Sequence, residues 1–150
     1  VCGTNDGFIQ FNSIREQRTI QIVEIGDIVP RLIKITPGWG FVVVYATSLS
    51  NNANYMILFT PNGYKIRVSE LPKGESISAM EVYRSKDGFD YAFVATESSN
   101  LYHFEVFFTS FEKMLCKTPF KVNSISYIEE QSVLYCTGNH NLLLTIPIGF

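Results

Sequence analysis

One motif recurs four times along this chain and limits what it can fold into. A strand-like run ends in a small residue and a threonine, a polar hairpin follows, and an apolar run returns. The copies read Cys2-Gly3-Thr4-Asn5-Asp6-Gly7-Phe8-Ile9, then Tyr45-Ala46-Thr47 with a loop before Asn54-Tyr55-Met56-Ile57. The other two are Val94-Ala95-Thr96-Glu97-Ser98-Ser99-Asn100-Leu101-Tyr102 and Tyr135-Cys136-Thr137-Gly138-Asn139-His140-Asn141-Leu142-Leu143. Thr4, Thr47, Thr96 and Thr137 lie roughly 40 to 50 residues apart, and the strands opening at Arg31, Ile77 and Val122 repeat at roughly 45. Such a period marks a unit that cannot bury its own apolar surface and must stack on copies of itself.

Each period holds strands and turns, with no helical stripe. Phe8 to Asn12 alternates, with Ile9 and Phe11 on one face, and Thr19 to Ile25 alternates again, setting Ile20 and Ile22 against Thr19 and Gln21. Phe41 to Tyr45 is apolar on both faces, the mark of a strand covered from two sides. Tyr55 to Thr60, the Pro61-Asn62-Gly63 turn and Tyr64 to Val68 follow. Then come Ile77 to Tyr83, Asp90 to Thr96, a long strand from Leu101 to Phe108, and Lys113 to Lys117. Val122 to Ile128, Val133 to Thr137 and Leu142 to Ile146 close the series.

Four strands per period, the second most apolar and the fourth most charged, predict an all-β fold. It is read as a partial WD40-like β-propeller of about three and a half four-stranded blades. The blade units are 1–26 (incomplete), 27–72, 73–118 and 119–150 (incomplete). A closed ring takes roughly four to eight blades, so the missing ones are expected upstream, with Gly149-Phe150 as the natural C-terminus. The alternative is a β-sandwich or lectin-like binding module, which strings short strands together without reason for the repeat.

Composition narrows the partners. The chain is 46% hydrophobic and only 17% charged, leaving less surface charge than an isolated domain usually shows. A net charge of −2, with the twelve Lys and Arg scattered in sequence, argues against nucleic acid as a partner. The three cysteines, Cys2, Cys116 and Cys136, form neither a disulfide framework nor a zinc-ligand set. With no Asn-x-Ser/Thr acceptor, this points to a reducing, intracellular setting. The longest apolar run, Phe41 to Ala46, is far short of the about 20 residues a bilayer requires, so no direct membrane insertion is expected. The chain opens on Val1 without an initiator Met, as a piece of something larger would.

The sequence offers no catalytic residue, no cofactor motif and no metal site. His103 sits mid-strand without a partner at motif spacing and reads as a satisfied strand histidine. His140 follows Cys136 by four residues, but proximity across a turn supplies neither an activated thiolate nor an orienting group. Gly38-Trp39-Gly40 lacks the third glycine and the helix of a dinucleotide fingerprint. Glu129 and Glu130 read as solvated at a strand end, and the twelve Phe and eight Tyr as core rather than a base-stacking platform. Trp39, beside a turn, either caps the core or protrudes as a partner's anchor, and it is the one binding candidate.

The stretch Gly38-Trp39-Gly40-Phe41-Val42-Val43-Val44-Tyr45, followed by Ile57-Leu58-Phe59-Thr60-Pro61-Asn62-Gly63-Tyr64-Lys65-Ile66-Arg67, resembles the C-terminal WD40 propeller of the BEACH-domain proteins related to neurobeachin and the Chediak–Higashi protein. The resemblance is specific over Ile33 to Arg67, and the Trp-Asp dipeptide that names WD40 repeats is absent. It implies a non-catalytic platform for protein–protein contacts within a large scaffold of vesicle trafficking and membrane dynamics. It implies as partners other proteins, together with the upstream blades and BEACH domain of the same parent chain. Through that parent it places the protein in the cytoplasm, peripheral to intracellular membranes. The rival assignments are a propeller of an unrelated coat or tethering complex and a propeller enzyme or lectin-like module with a site in its central channel.

Overall fold

The computed structural model describes residues 1–149; Phe150, half of the expected Gly149-Phe150 terminus, lies outside them. The strands form four antiparallel sheets, each a simple up-and-down meander. The first holds β1 (Cys2–Gly3), β2 (Phe8–Ser13) and β3 (Arg18–Glu24). The second holds β4 (Ile28–Ile35), β5 (Val42–Ser48), β6 (Asn54–Phe59) and β7 (Lys65–Glu70). The third is built of β8 (Ile77–Arg84), β9 (Asp90–Thr96), β10 (Asn100–Glu105) and β11 (Met114–Lys117), the fourth of β12 (Ser124–Ile128), β13 (Val133–Thr137) and β14 (Leu143–Pro147). No helix among the described residues is long and apolar enough to cross a membrane. The chain divides into two compact units, Val1–Gly74 with the first two sheets and a second from Glu75 onward with the other two.

The repeated threonines and glycines have a shared physical role. Thr4 donates its N–H to the Phe8 carbonyl at 2.9 Å and accepts the Gly7 N–H, and Gly7 takes φ of 84°. Thr60 and Gly63, then Ser85 and Gly88, repeat those two bonds, with glycine φ of 90° and 89°. Each is a three-residue hairpin loop ending in a left-handed residue, where glycine costs least. The hydroxyls add a second clamp, since Thr4, Thr60 and Thr96 each accept the N–H four residues on. Side chains that bond their own turn make these loops local decisions of the sequence.

In the first unit the two sheets meet face to face through Ile9, Phe11, Val42, Val44, Ala46, Ile57 and Phe59. Phe11 and Phe59 cross edge-to-face with centroids 5.8 Å apart, an arrangement worth about 1 kcal/mol beyond area burial. Every residue of β5 from Val42 to Ala46 is buried, as its double-sided apolar pattern predicts. In the second unit Ala79, Phe93, Ala95, Leu101, Val122, Ile125, Leu134 and Cys136 form the corresponding core.

Several sequence expectations shift. β4 starts at Ile28 rather than Arg31, because Pro30 is tolerated on an edge strand beside the irregularity between Pro30 and Leu32. The long strand predicted from Leu101 to Phe108 ends at Glu105. There the Phe108 and Thr109 N–H groups both turn back to the Glu105 carbonyl, which leaves Phe108 exposed. The last sheet opens at Ser124, with Val122 buried ahead of it. Ile20 and Ile22 alternate as expected, yet both are exposed, because β3 is an edge strand whose outer face nothing in its unit covers.

Candidate functional site

Trp39 is held in the β4–β5 turn by residues of opposite character. Thr36 is buried and accepts the Phe41 N–H at 3.0 Å through its hydroxyl, while Gly40 takes φ of 72°. A side chain at Gly40 would sit 3.2 Å from Pro61 Cγ, so the β4–β5 and β6–β7 turns touch. Trp39 is 58% exposed and projects rather than capping the core. Across the same end of the sheet Tyr64 is 67% exposed and Ile35 54%, and the β2–β3 hairpin of the neighbouring sheet adds Ile14 at 93%. The two sheets share this end, because Gly63 of the β6–β7 turn lies against Phe11 of β2 and Gln21 of β3.

Charge separates along the same axis. Arg15, Arg18, Lys65 and Arg67 are exposed on the β2–β3 hairpin and on β7 near its turn, countered by Glu16, whose carboxylate pairs with Arg18. The opposite end of these sheets carries Asp6, Glu24, Asp27 and Glu70, with Lys73 beyond them. There the Ile25 N–H donates to the Gly7 carbonyl and the Leu49 N–H to the Asp27 carbonyl. Basic residues that are scattered in sequence therefore collect in space. The meander returns alternate hairpins to one end, so residues some 50 positions apart in the chain come to the same end, a grouping that no basic run in the sequence reveals. Position relative to the hairpins was the available signal.

The second unit contains a different cluster. On the sheet β8–β11, Tyr83 and Tyr91 face each other across β8 and β9, and Phe93 faces His103 across β9 and β10. His103 stacks on Tyr91 with ring centroids 5.3 Å apart and lies tilted against Phe93 at 4.5 Å, and Tyr127 of β12 closes at a tilt against Tyr83 at 4.5 Å. Tyr83 Oη and His103 Nε2 share a 2.8 Å hydrogen bond. Burial lowers the His103 pKa to about 4, and burial, then the nearby Tyr127, raises that of Tyr83. Both groups are thus neutral at pH 7, a satisfied strand pair rather than a poised acid and base. His103 also borders a cleft of about 380 Å³ completed by Lys113, Met114 and Leu115.

The remaining candidates stand apart. Cys136 is fully buried in the core while His140 is exposed in the β13–β14 turn with φ of 58°, so folding does not bring them together as a reactive pair. Burial, then neighbouring Cys116, pushes the Cys136 thiol up to about 11, and burial raises Cys116, which leaves both protonated. Glu129 is not simply solvated. It opens a 3-10 turn, Glu129–Gln131, and its Oε1 accepts the Lys86 N–H at 3.0 Å, tying the fourth sheet's loop to the β8–β9 turn.

No protein-family model matches this sequence, and no curated protein does. By fold the chain is similar to the crystal structure of the Cps50 (Swd1) β-propeller domain of Myceliophteria thermophila. The TM-score is 0.70 at 16% identity, over 98% of this chain and 49% of that one. It is also similar to a protein of unknown function from Bacteroides caccae, with a TM-score of 0.55 at 11% identity, over 99% of this chain and 57% of that one. The chain thus spans about half the length of these structures. It is an all-β, partial WD40-like β-propeller, with two complete four-stranded blades flanked by two three-stranded ones. The sandwich alternative is set aside.

Proposed function

We propose that this chain is a non-catalytic platform for protein–protein contacts, and that the end of the first unit bearing Trp39 is its contact surface. The observation that carries this is the exposure of Trp39 and Tyr64 at adjoining turns held by the buried Thr36 and the Gly40–Pro61 contact. Aromatic side chains on a rigid support are the residues that dominate interface energies, because they bury much area at little cost in conformational entropy. The groups that could do chemistry are held in inactive forms, His103 neutral and the Cys116 and Cys136 thiols protonated.

The finer reading follows the resemblance over Ile33 to Arg67. It makes the chain part of the propeller of a BEACH-type scaffold in vesicle trafficking, cytoplasmic and peripheral to membranes through its parent, with blade units 1–26, 27–72, 73–118 and 119–150. Its partners are then other proteins and the BEACH domain of the same parent.

Two experiments test the two levels. In cells, the parent protein carrying Trp39→Ala and Tyr64→Ala loses a defined subset of its cross-linked partners while its abundance is unchanged. An unaltered partner set overturns the assigned surface. Reading the coding sequence upstream of Val1 tests the finer level: a PH-like and BEACH region supports it, and any other domain removes it.

A further inference from the structure

The exposed aromatic residues lie within a one-sided electrostatic field, and that field selects among protein partners. Arg15 on the β2–β3 hairpin and Lys65 and Arg67 on β7 are exposed at the end where Ile14, Trp39 and Tyr64 project. Among the described residues Glu16 is the one carboxylate at this end, and Arg18 engages it, whereas four acidic residues lie at the far end of the same sheets. The chain as a whole carries −2, so this end is a local positive field on an acidic molecule. Desolvating such an end costs least, and steering helps most, when the incoming surface is negative.

We propose that this end docks an acidic protein segment bearing apolar anchors: its aliphatic or aromatic side chains pack on Ile14, Trp39 and Tyr64, and its carboxylates meet Arg15, Lys65 and Arg67. This rests on the platform reading above and adds the chemistry of the partner. Two features favour a peptide over a polyanion or a bilayer. Ile14, exposed to 93%, gains nothing from a phosphate backbone and needs an apolar side chain. Arg67 pairs with Leu58, inward of the terminal Phe59–Lys65 pair, so the basic residues continue down the outer strand away from the turn tips. A planar membrane surface reaches tips first, while an extended segment can follow β7, whose outer edge is the free edge of its sheet.

The chain has one tryptophan, so its intrinsic fluorescence reports on Trp39 alone. The experiment titrates the full chain with three synthetic 12-residue peptides that share the same leucine and phenylalanine positions. Their other positions carry Asp/Glu, Lys/Arg or Ser/Asn. Phosphatidylserine vesicles and a single-stranded oligonucleotide are run in parallel. The expected result is a Trp39 emission shift with the acidic peptide only. Its binding should weaken at least about tenfold between low and high salt and again in the triple variant R15E/K65E/R67E, which should instead accept the basic peptide. The salt titration on the unaltered chain keeps the test decisive should the variant not fold. Equal binding of all three peptides overturns the charge selection and leaves the platform reading standing. A response to vesicles or oligonucleotide without the acidic peptide overturns it in favour of that partner class. No response to any probe overturns this inference, and the partner comparison for Trp39→Ala and Tyr64→Ala then decides the platform reading by itself.

Discussion

The Tyr83–His103 pair makes the second unit sensitive to mild acid in a way that can be isolated. In the native chain burial holds the His103 pKa at about 4, against 6.5 in the unfolded chain. Between those values the unfolded state binds a proton that the native state refuses, so native stability falls as pH drops from about 6.5 and levels off below about 4. At about 1.4 kcal/mol per pH unit the span corresponds to roughly 3.5 kcal/mol. The imidazole borders an open cleft, and solvent screening reduces this to about 1–2 kcal/mol. The perturbation is H103Q, which removes the titration while leaving a carboxamide within reach of the Tyr83 hydroxyl. The assay is the urea midpoint of both proteins at intervals from pH 7.5 to pH 4, converted to free energy with a shared slope. Glu105, whose pKa burial and then Asp87 raise, titrates in both proteins and cancels in the difference. The difference should be flat above pH 7 and close by about 1–2 kcal/mol towards pH 4. Parallel curves throughout would refute the idea that His103 is buried in its neutral form.

Further outcomes follow from packing and backbone geometry. Gly7→Ala places a Cβ against the Gly26 carbonyl oxygen at φ of 84° and should cost at least about 3 kcal/mol. Gly26→Ala, with φ of 82° but nothing within 4 Å, should cost only about 1 kcal/mol, so similar losses by thermal melting would discount the collision. Phe11→Ala empties the contact with Phe59 between the first two sheets and should cost about 3–5 kcal/mol in denaturant titration; a loss below about 1 kcal/mol means that this core is not formed as described. At pH 8 a small thiol reagent should modify exposed Cys2 promptly and leave Cys136 unmodified until the chain unfolds, and equal rates by mass spectrometry would contradict the buried core assignment.

Much of the architecture could be read from the chain because it is locally encoded. Thr4 and Gly7, Thr60 and Gly63, and Ser85 and Gly88 close their own hairpins within five residues, and the apolar alternation of Ile9 and Phe11 names the buried face without reference to any neighbour. That is why the sheets hold three, four, four and three strands in the order the repeat predicts. Strand ends were less legible. Phe108 continues the alternation of Tyr102, Phe104 and Val106, and only the left-handed Thr109 and the two hydrogen bonds donated by the Phe108 and Thr109 N–H groups to the Glu105 carbonyl take it out of the sheet.

The period, the turns and the buried faces are locally encoded, since each follows from contacts within a few residues or from an alternation of two. The surface is set by long-range pairing of the strands. Trp39 could cap or project on sequence grounds, and the closed Thr36–Phe41 turn against Pro61 leaves it projecting. Arg15 lies some 50 residues before Lys65 and Arg67, and all three come toward one end of the two sheets because a meander returns alternate hairpins to the same end. His103 carries no partner in sequence, and it gains Tyr83, twenty residues away, through two steps of strand pairing. Non-local pairing places side chains that share no local pattern, so the candidate sites emerge only once the sheets are assembled.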